Sequence, residues 1–351
     1  MNNKFSASNN FDILRLIFAL LVFLYHSVFL YGGIVHNILF NIPSFAVQGF
    51  FIISGFLIVW SFDRNHDVRK YSLKRFFRTY PLYFILILIQ TVIMLILIKA
   101  INLSAIFKYL STNLVFLNFL SPSIGNVFNG LRIDAINGSL WTLKIEVAFY
   151  ILLPIIYHLF SRFGKSILFL LYVASALYFL FVKNEFWAIM FPTHLRFFIA
   201  GIFMYFYGEK IVSVLKNKLF ISILLIACLL FLDIYIKADL FKAFIYPAVL
   251  GLTVLLGAFC IPAVKIPLDI SYSIYVLHFP ILQVLAFYNI MPDNFLQFFA
   301  ISSVLLLSFS IFSGVFIEKR FVYVGHKICD LIENKDKITE IKTKRTVLLN
   351  E

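Results

Sequence analysis

Charge is the scarcest ingredient of this chain. Only 13% of its 351 residues are Asp, Glu, Lys or Arg, about half the share found in an ordinary soluble domain. That shortage excludes a soluble enzyme, a nucleic-acid module and a tail-dominated protein, because a soluble surface needs polar cover. Acidic residues are the scarcer kind: 17 against 30 basic ones, a formal net charge of +13. On a soluble chain that excess would suggest nucleic acid. Here it fits the cytoplasmic loops of a membrane protein, which collect Lys and Arg. Cysteine is nearly absent. Cys228, Cys260 and Cys329 lie far apart and match neither a disulfide framework nor a metal-ligand spacing, so no metal is expected. The apolar stretch after Lys4 has no A-x-A-like site, which argues against a cleaved signal. Internal repeats and low-complexity tracts are also missing.

What the chain has is apolar bulk. Hydrophobic residues make up 62% of it, with 44 Phe and 18 Tyr, which excludes disorder. The mean hydropathy is +0.95. The fold class expected is all-α, a polytopic integral membrane protein. A spanning helix needs roughly 20 mostly apolar residues, and ten windows qualify: about 11–31, 43–62, 81–99, 140–160, 166–182, 194–208, 219–236, 243–261, 270–290 and 295–317. The sixth, short and polar at its start, is the weakest. The segment 114–120 is too short to span and reads as an interfacial or re-entrant piece.

Basic residues set the orientation. Residues 62–80 carry Arg64, Arg69, Lys70, Lys74, Arg75 and Arg78, whereas 32–42 carries none. Counting alternate loops, Lys4, Arg15 and the tail, one side gathers 22 of the 30 basic residues. The opposite loops hold Lys99, Lys108, Arg132, Lys183, Lys237 and Lys242, and Lys144 and Arg196 sit within spans near that side. Both termini are therefore expected in the cytoplasm, which needs an even number of spans. The domain expectation is a membrane domain over 1–317 and a charged cytoplasmic tail over 318–351.

Ionisable groups inside spans mark function. In the first span Asp12-Ile-Leu-Arg15 is followed, ten residues on, by His26. Eleven steps at 100° leave about a 20° offset, so Arg15 and His26 share a face roughly 16 Å apart. The alternatives are a snorkelling arginine and a histidine bonded to a backbone carbonyl. The fourth span opens Ser139-Leu-Trp141-Thr142-Leu-Lys144-Ile-Glu146-Val-Ala-Phe149-Tyr150. Trp141 reads as an interface anchor. Glu146 lies some 9 Å in from the outer end, at the depth of His26, so the two are expected to meet in the outer third of the membrane. A carboxylate there would fix the imidazole tautomer and raise its basicity. The alternative is a pair between Glu146 and Lys144 or Arg196.

In the ninth span Ser271, Tyr272, Ser273, Tyr275 and His278 cluster after Asp269, a candidate helix cap. Tyr275 and His278 share a face, and His278 is expected near the inner side, about 12 Å from the surface. In the second span Ser54-Gly55 reads equally as a ligand contact or as a place for close helix approach. The basic loop ends Arg75-Phe-Phe-Arg78-Thr-Tyr-Pro81, where two guanidinium forks could share a phosphate just before a proline that starts a span.

Taken together, these pieces resemble the acyltransferase-3 family of multi-span membrane O-acyltransferases, over residues 11–317. The resemblance rests on Arg15-x10-His26, on Phe50-Phe-Ile-Ile-Ser54-Gly55-Phe, on Arg75-Phe-Phe-Arg78-Thr-Tyr-Pro81, on Ser139 to Tyr150, and on Ile270-Ser-Tyr-Ser-Ile-Tyr275-Val-Leu-His278. It implies transfer of an acyl group, mostly acetyl, from cytoplasmic acetyl-coenzyme A to a hydroxyl of a surface or lipid-linked polysaccharide, such as lipopolysaccharide or capsule. It also implies a place in the bacterial inner membrane, in the stand-alone form of the family. Arg15 and His26 would act in transfer, and Arg75 and Arg78 near the donor.

The chemistry agrees with the residues. A coenzyme A thioester is polyanionic and needs arginines. A sugar hydroxyl is a poor nucleophile and needs a base poised near neutral pH. His26 supported by Glu146 would be that base, or His26 would carry the acyl group covalently. Ser54 would join Arg15, Arg75 and Arg78 at the donor, with Trp141, Tyr150, Tyr275 and His278 in support. No tightly bound cofactor is expected. The partners are an acyl-CoA donor, a glycan acceptor and membrane lipid, with no nucleic acid. Two other functions compete: a proton-coupled exporter using His26, Glu146, Arg196 and His278 as a relay, and a non-catalytic receptor or scaffold.

Overall fold

The computed structural model of the chain describes residues 5, 8–32, 37–98, 102–236, 238–290 and 294–349. Lys4, Lys99, Lys237 and residues 33–36 of the loop 32–42 therefore lie outside the described residues. Among the described residues every regular element is a helix. Phe11–Tyr31 (α1), Asn37–Asn65 (α2) and Val68–Leu97 (α3) come first, followed by a shorter Leu103–Asn113 (α4). Then come Trp141–Phe163 (α5), Ser166–Phe181 (α6), the single turn Glu185–Ala188 (α7), Phe191–Leu215 (α8) and Leu219–Tyr235 (α9). Tyr246–Phe259 (α10), Ser271–Phe287 (α11), Phe295–Ser313 (α12) and Lys319–Leu349 (α13) complete the order. Each of the ten expected windows coincides with a helix. Seven are long and apolar enough to cross a membrane, and Ser166–Phe181, Leu219–Leu232 and Ser271–Phe287 are shorter apolar helices. The chain is an integral membrane protein.

The weakest window in the sequence becomes the centre of the bundle. α8 packs most extensively on α2 and also against α5, α6 and α10. Its polar start, His194 and Arg196, is buried at 8% and 2% exposure. Two glycines set the α2–α8 crossing. A Cβ on Gly55 would come 2.1 Å from the Phe198 carbonyl oxygen, and one on Gly201 would come 2.1 Å from that of Ile52. The helix backbones touch at those two positions.

One local expectation is corrected. The basic stretch before Pro81 is no loop. α3 begins at Val68, with the Asp67 carboxylate accepting from the Arg69 and Lys70 amides at 2.9 and 3.2 Å, and it runs unbroken through Pro81. The long segment after residue 100 contains α4, whose Asn102 side chain caps it through the Ala105 amide. α4 is amphipathic: Leu103 and Phe107 are exposed, while Tyr109 is buried and donates to Gln90 Oε1 at 3.0 Å. Around residue 317 the chain stays helical. α12 passes through a π-helical turn, Gly314–Glu318, into α13. α13 returns along the charged start of α3, tied by Arg69–Asp336 at 2.9 Å and Lys70–Glu333 at 3.3 Å.

Candidate functional site

One end of the bundle gathers arginines around a single carboxylate. Asp269 Oδ1 accepts from the Ser271 amide at 3.1 Å and its hydroxyl at 2.6 Å, the expected start of α11. Its Oδ2 receives Arg78 Nη2 at 2.7 Å and lies 3.2 Å from Arg15 Nη2. Arg15 also pairs with Asp12. Burial by itself would push the Asp269 carboxyl up. The charges of Arg15 and Arg78 overcome that and hold it well below the usual carboxylate range. The expected Arg75/Arg78 fork is therefore divided. Arg78 is neutralised by Asp269, while Arg75 forms no ion pair among the described residues and its buried Nε has no hydrogen-bond partner. Its guanidinium lies 6.0 Å from the Tyr150 ring centroid.

These arginines open into a pocket holding about 90 Å³ of space. Ser54, Glu146, Tyr150, Tyr272 and Tyr275 line it, together with Arg15, Arg75 and Arg78. A water needs about 10–15 Å³ of such space, so the pocket has room for a small acyl end. Ser54 donates to Glu146 Oε1 at 3.0 Å, and the Tyr150 hydroxyl donates to the same oxygen. The Ser54-Gly55 pair thus serves both readings, one residue each: the serine faces the pocket and the glycine makes the crossing.

Glu146 does not meet His26. It bonds to Ser54 and Tyr150, and it pairs with neither Lys144 nor Arg196. The helix ends are not flush, so depth counted from them misleads. The loop before α5 dips into the bundle: Asn137 Nδ2 donates to the Val276 carbonyl at 2.9 Å, and Thr142 Oγ1 lies 2.7 Å from the Tyr275 hydroxyl. α5 therefore starts level with the second turn of α11. Glu146, four residues on, sits about 6 Å nearer the arginines than Thr142.

His26 meets His278 instead. His26 Nδ1 lies 3.0 Å from His278 Nε2, and His278 Nδ1 lies 3.2 Å from the Ile274 carbonyl oxygen. The expectation that His278 sits nearer the inner side fails for the same reason of level. Asp269 and Arg15 touch, so the two helices are in step there. His26 is eleven residues beyond Arg15 and His278 nine beyond Asp269, about 16 and about 13 Å.

The bonds assign the protons. A carbonyl only accepts, so His278 Nδ1 carries hydrogen. Neutral His278 then has a bare Nε2, and His26 Nδ1 must donate to it. His26 Nε2 is left with a free lone pair. The pair is walled by Phe23, Phe279 and Tyr275, with ring centroids 6.5 Å (Phe23) and 6.0 Å (Tyr275) from His278, and 5.1 Å (Phe279) from His26. Tyr275 also walls the pocket, one helical turn below.

Trp141 does not line the pocket; its ring lies 5.7 Å from that of His194, which in turn lies 5.4 Å from the pocket-lining Phe51. Several residues of the site carry little or no signal in the sequence. Asn10, 2% exposed, donates to the carbonyls of Gly257, Ile261 and Pro262 at 3.2, 3.1 and 3.2 Å and accepts from the Val264 amide. It anchors the start of α1, and so Arg15, to the end of α10. Its only signal is an Asn just before a helix. Thr142 and Tyr71, whose hydroxyl donates to the Tyr150 carbonyl at 3.0 Å, give none.

A family model described as an acyltransferase domain matches residues 8–317. Among curated proteins, the chain is similar to an O-acetyl transferase of Shigella phage Sf6, 28% identical over 90% of this chain and 96% of that protein. It is similar to Nodulation protein 10 of Rhizobium leguminosarum bv. viciae, 30% identical over 45% of this chain and 46% of that protein. It is also similar to Acyltransferase MdmB of Streptomyces mycarofaciens, 30% identical over 35% of this chain and 30% of that protein. The chain thus spans about half of the nodulation protein, under a third of MdmB and nearly all of the phage enzyme. No solved structure matches.

Proposed function

The chain belongs to this acyltransferase family, and from that premise we propose that it moves an acetyl group from cytoplasmic acetyl-coenzyme A to a hydroxyl of a surface or lipid-linked polysaccharide. The likeness to the phage O-acetyl transferase over nearly its whole length supports the acetyl group and the hydroxyl acceptor. The seven long apolar helices, the three shorter ones and the basic excess on one side support a bacterial inner-membrane protein with both termini in the cytoplasm. The arginine end is then the donor side.

One observation carries the reading: a neutral imidazole with a free lone pair stands one helical turn beyond a pocket whose mouth is arginine. The donor's phosphates would meet Arg75 first, the arginine with no acidic partner. The thioester end would enter between Ser54, Glu146 and Tyr275. His26 Nε2 takes the proton of the acceptor hydroxyl, and the oxygen attacks the thioester carbonyl. Collapse of the tetrahedral adduct forms the ester and breaks the C–S bond, and the leaving thiolate recovers the proton from His26. His278 holds the His26 ring and shares the imidazolium charge. The exporter alternative lacks a connected relay, because among the described residues no hydrogen bond or ion pair joins Glu146 or Arg196 to each other or to the histidine pair.

Purified protein in lipid, given acetyl-coenzyme A labelled in the acetyl group and a glycan acceptor, should transfer the label to the glycan. Label movement that needs no glycan hydroxyl, or solute transport without donor, would overturn the reading.

A further inference from the structure

A second cavity, larger than the pocket at the arginines, lies at the far end of the bundle. It is a polar cleft of about 440 Å³ between α4 and the loop that leads to α5. Ser123 and Gly125, on either side of Ile124, line it, as does Asp134, next to Ile133. Three helices fix its height. The Ile124 amide donates to the Met94 sulfur at 3.3 Å, and Met94 is sixteen residues beyond Arg78 on α3. Arg132 Nη1 donates to the Phe29 carbonyl at 2.9 Å, and Gln283 Nε2 donates to that of Ile133 at 2.6 Å. Phe29 is fourteen residues beyond Arg15, and Gln283 fourteen beyond Asp269. At the helical rise these counts are about 21–24 Å from the arginines. The histidine pair stands lower on α1 and α11, so the cleft lies past it, on the side away from the donor pocket.

Ligand clefts commonly hold about 300–1,000 Å³, and this one falls in that range. Its lining is polar but balanced. Lys108 and Asp134 carry one charge of each sign, and Ser123, Asn126 and Asn129 add a hydroxyl and two amides. Among the described residues the side chains of Lys108, Asn126, Asn129 and Asp134 form no hydrogen bond and no ion pair, although they share the cleft. The wall behind them is pinned. Asn113, 2% exposed, donates to the Ser121 carbonyl at 2.8 Å and accepts from Asn118 Nδ2 at 2.8 Å, and the Ile136 amide donates to the Pro122 carbonyl at 3.2 Å. Donors and acceptors are thus interspersed with no net charge. An anion would need the excess of donors seen at the arginine mouth, and an apolar ligand would leave these groups unpaired. A hydroxyl both donates and accepts, so a neutral polyhydroxyl compound meets both kinds at once, with Leu120 and Pro122 offering apolar contact to its C–H groups. We propose that this cleft holds uncharged sugar residues of the acceptor glycan beside the one being acylated. The proposal rests on the acyl-transfer reading, which brings the acceptor to the histidines from this side.

The test measures binding without donor. The full chain in lipid nanodiscs is titrated with end-labelled fragments of surface polysaccharide from cells that lack the chain, freed of esters with mild base, and fluorescence anisotropy is followed. The expected result is saturable binding that persists at high salt. Its half-saturation should rise about tenfold in Asp134→Ala, one charge-assisted bond's worth, and by a similar factor when Asn126→Ala and Asn129→Ala are combined. Lys183→Gln, at an exposed position outside the cleft, should bind as wild type does. Asp134, Asn126 and Asn129 are exposed, so the variants should melt with wild type. Wild type that does not bind the fragments, or unchanged half-saturation in both cleft variants, would overturn the site. Weaker binding that only accompanies a lower melting temperature would overturn the direct contact. Binding lost at high salt, or displaced by dextran sulfate, would overturn the uncharged class. Donor consumption by wild type is measured separately, so failure of acyl transfer would show there and leave the titration readable.

Discussion

Two neighbouring charged clusters of this bundle treat charge in opposite ways. At the arginine end Asp269 ties Arg15 and Arg78 together, Glu146 is held by Ser54 and Tyr150, and only Arg75 is left over. Around the starts of α5 and α8, Lys144 lies 4.4 Å from the Phe119 ring centroid and Arg196 4.1 Å from that of Phe179, and neither forms an ion pair among the described residues. A paired network holds a shape with nothing bound. An unpaired one is stable only when something else supplies the opposite charge. The first cluster is therefore preorganised around a mouth with one spare charge, and the second is met by the faces of aromatic rings. In the middle layer, one helical turn beyond the pocket, stands the histidine pair, which carries no ion pair among the described residues and is placed by helix registry alone.

The largest effect should come from that middle layer. His26→Ala should lower transfer by about 10²–10⁴-fold, the usual worth of a general base, while still inserting and binding donor. A folded variant with near-normal turnover would remove the base from the mechanism. His278→Gln should lose less and should shift the pH–rate profile, because the amide can still accept from His26 Nδ1 but cannot share its proton.

Next in size is the paired end. Asp269→Asn leaves two arginines facing each other and should cost about 3 kcal/mol, read as a lower melting temperature. The comparison would collapse if Asp269→Asn were neutral. The crossing that supports both clusters should be nearly as sensitive. Gly201→Ala forces a methyl against the Ile52 carbonyl and should cost about 1–3 kcal/mol.

Smaller still is Arg75→Met, which removes the spare charge. It should raise the donor KM by about tenfold, one charge-assisted bond's worth, with little change in melting temperature.

The smallest effect is in acid. The Asp269 carboxyl is depressed in the folded state, so its contribution to stability is complete above its unfolded value near 4. It is lost as pH falls through the folded value, which lies lower still. Wild type should therefore lose stability below about pH 4 more steeply than Asp269→Asn. Parallel acid slopes for the two proteins would mean that the carboxylate is not held by its arginines.

Much of this molecule is legible in its residues alone. All ten apolar windows are helices, since a run of some 20 apolar residues must satisfy its backbone internally in lipid. The residues that matter stand out too, as Arg15, His26, Arg75, Arg78, Glu146 and His278 are charged or titratable where lipid penalises charge. Their pairing is not legible. Counting from helix ends matches Glu146 to His26, and such a count assumes that every helix starts at one level. The dip of the loop at Asn137 and Ser139 breaks the assumption for α5, and the contact of Asp269 with Arg15 sets the level of α11. Asn10 and Thr142 escape notice because a single polar residue near a helix end carries no periodic signal.

The sequence by itself determined the solvent, the element type and the list of reactive groups. Those follow from local quantities: hydropathy over a window, helical rise and the cost of a bare charge. Only the tertiary structure decided that His26 faces His278, that Arg78 is spent on Asp269 while Arg75 is not, and that Lys144 and His194 stand without an acid. Each of those depends on the relative height of two helices. A shift of about 5 Å is one helical turn, it costs no local propensity, and only the packed bundle with its dipping loop fixes it.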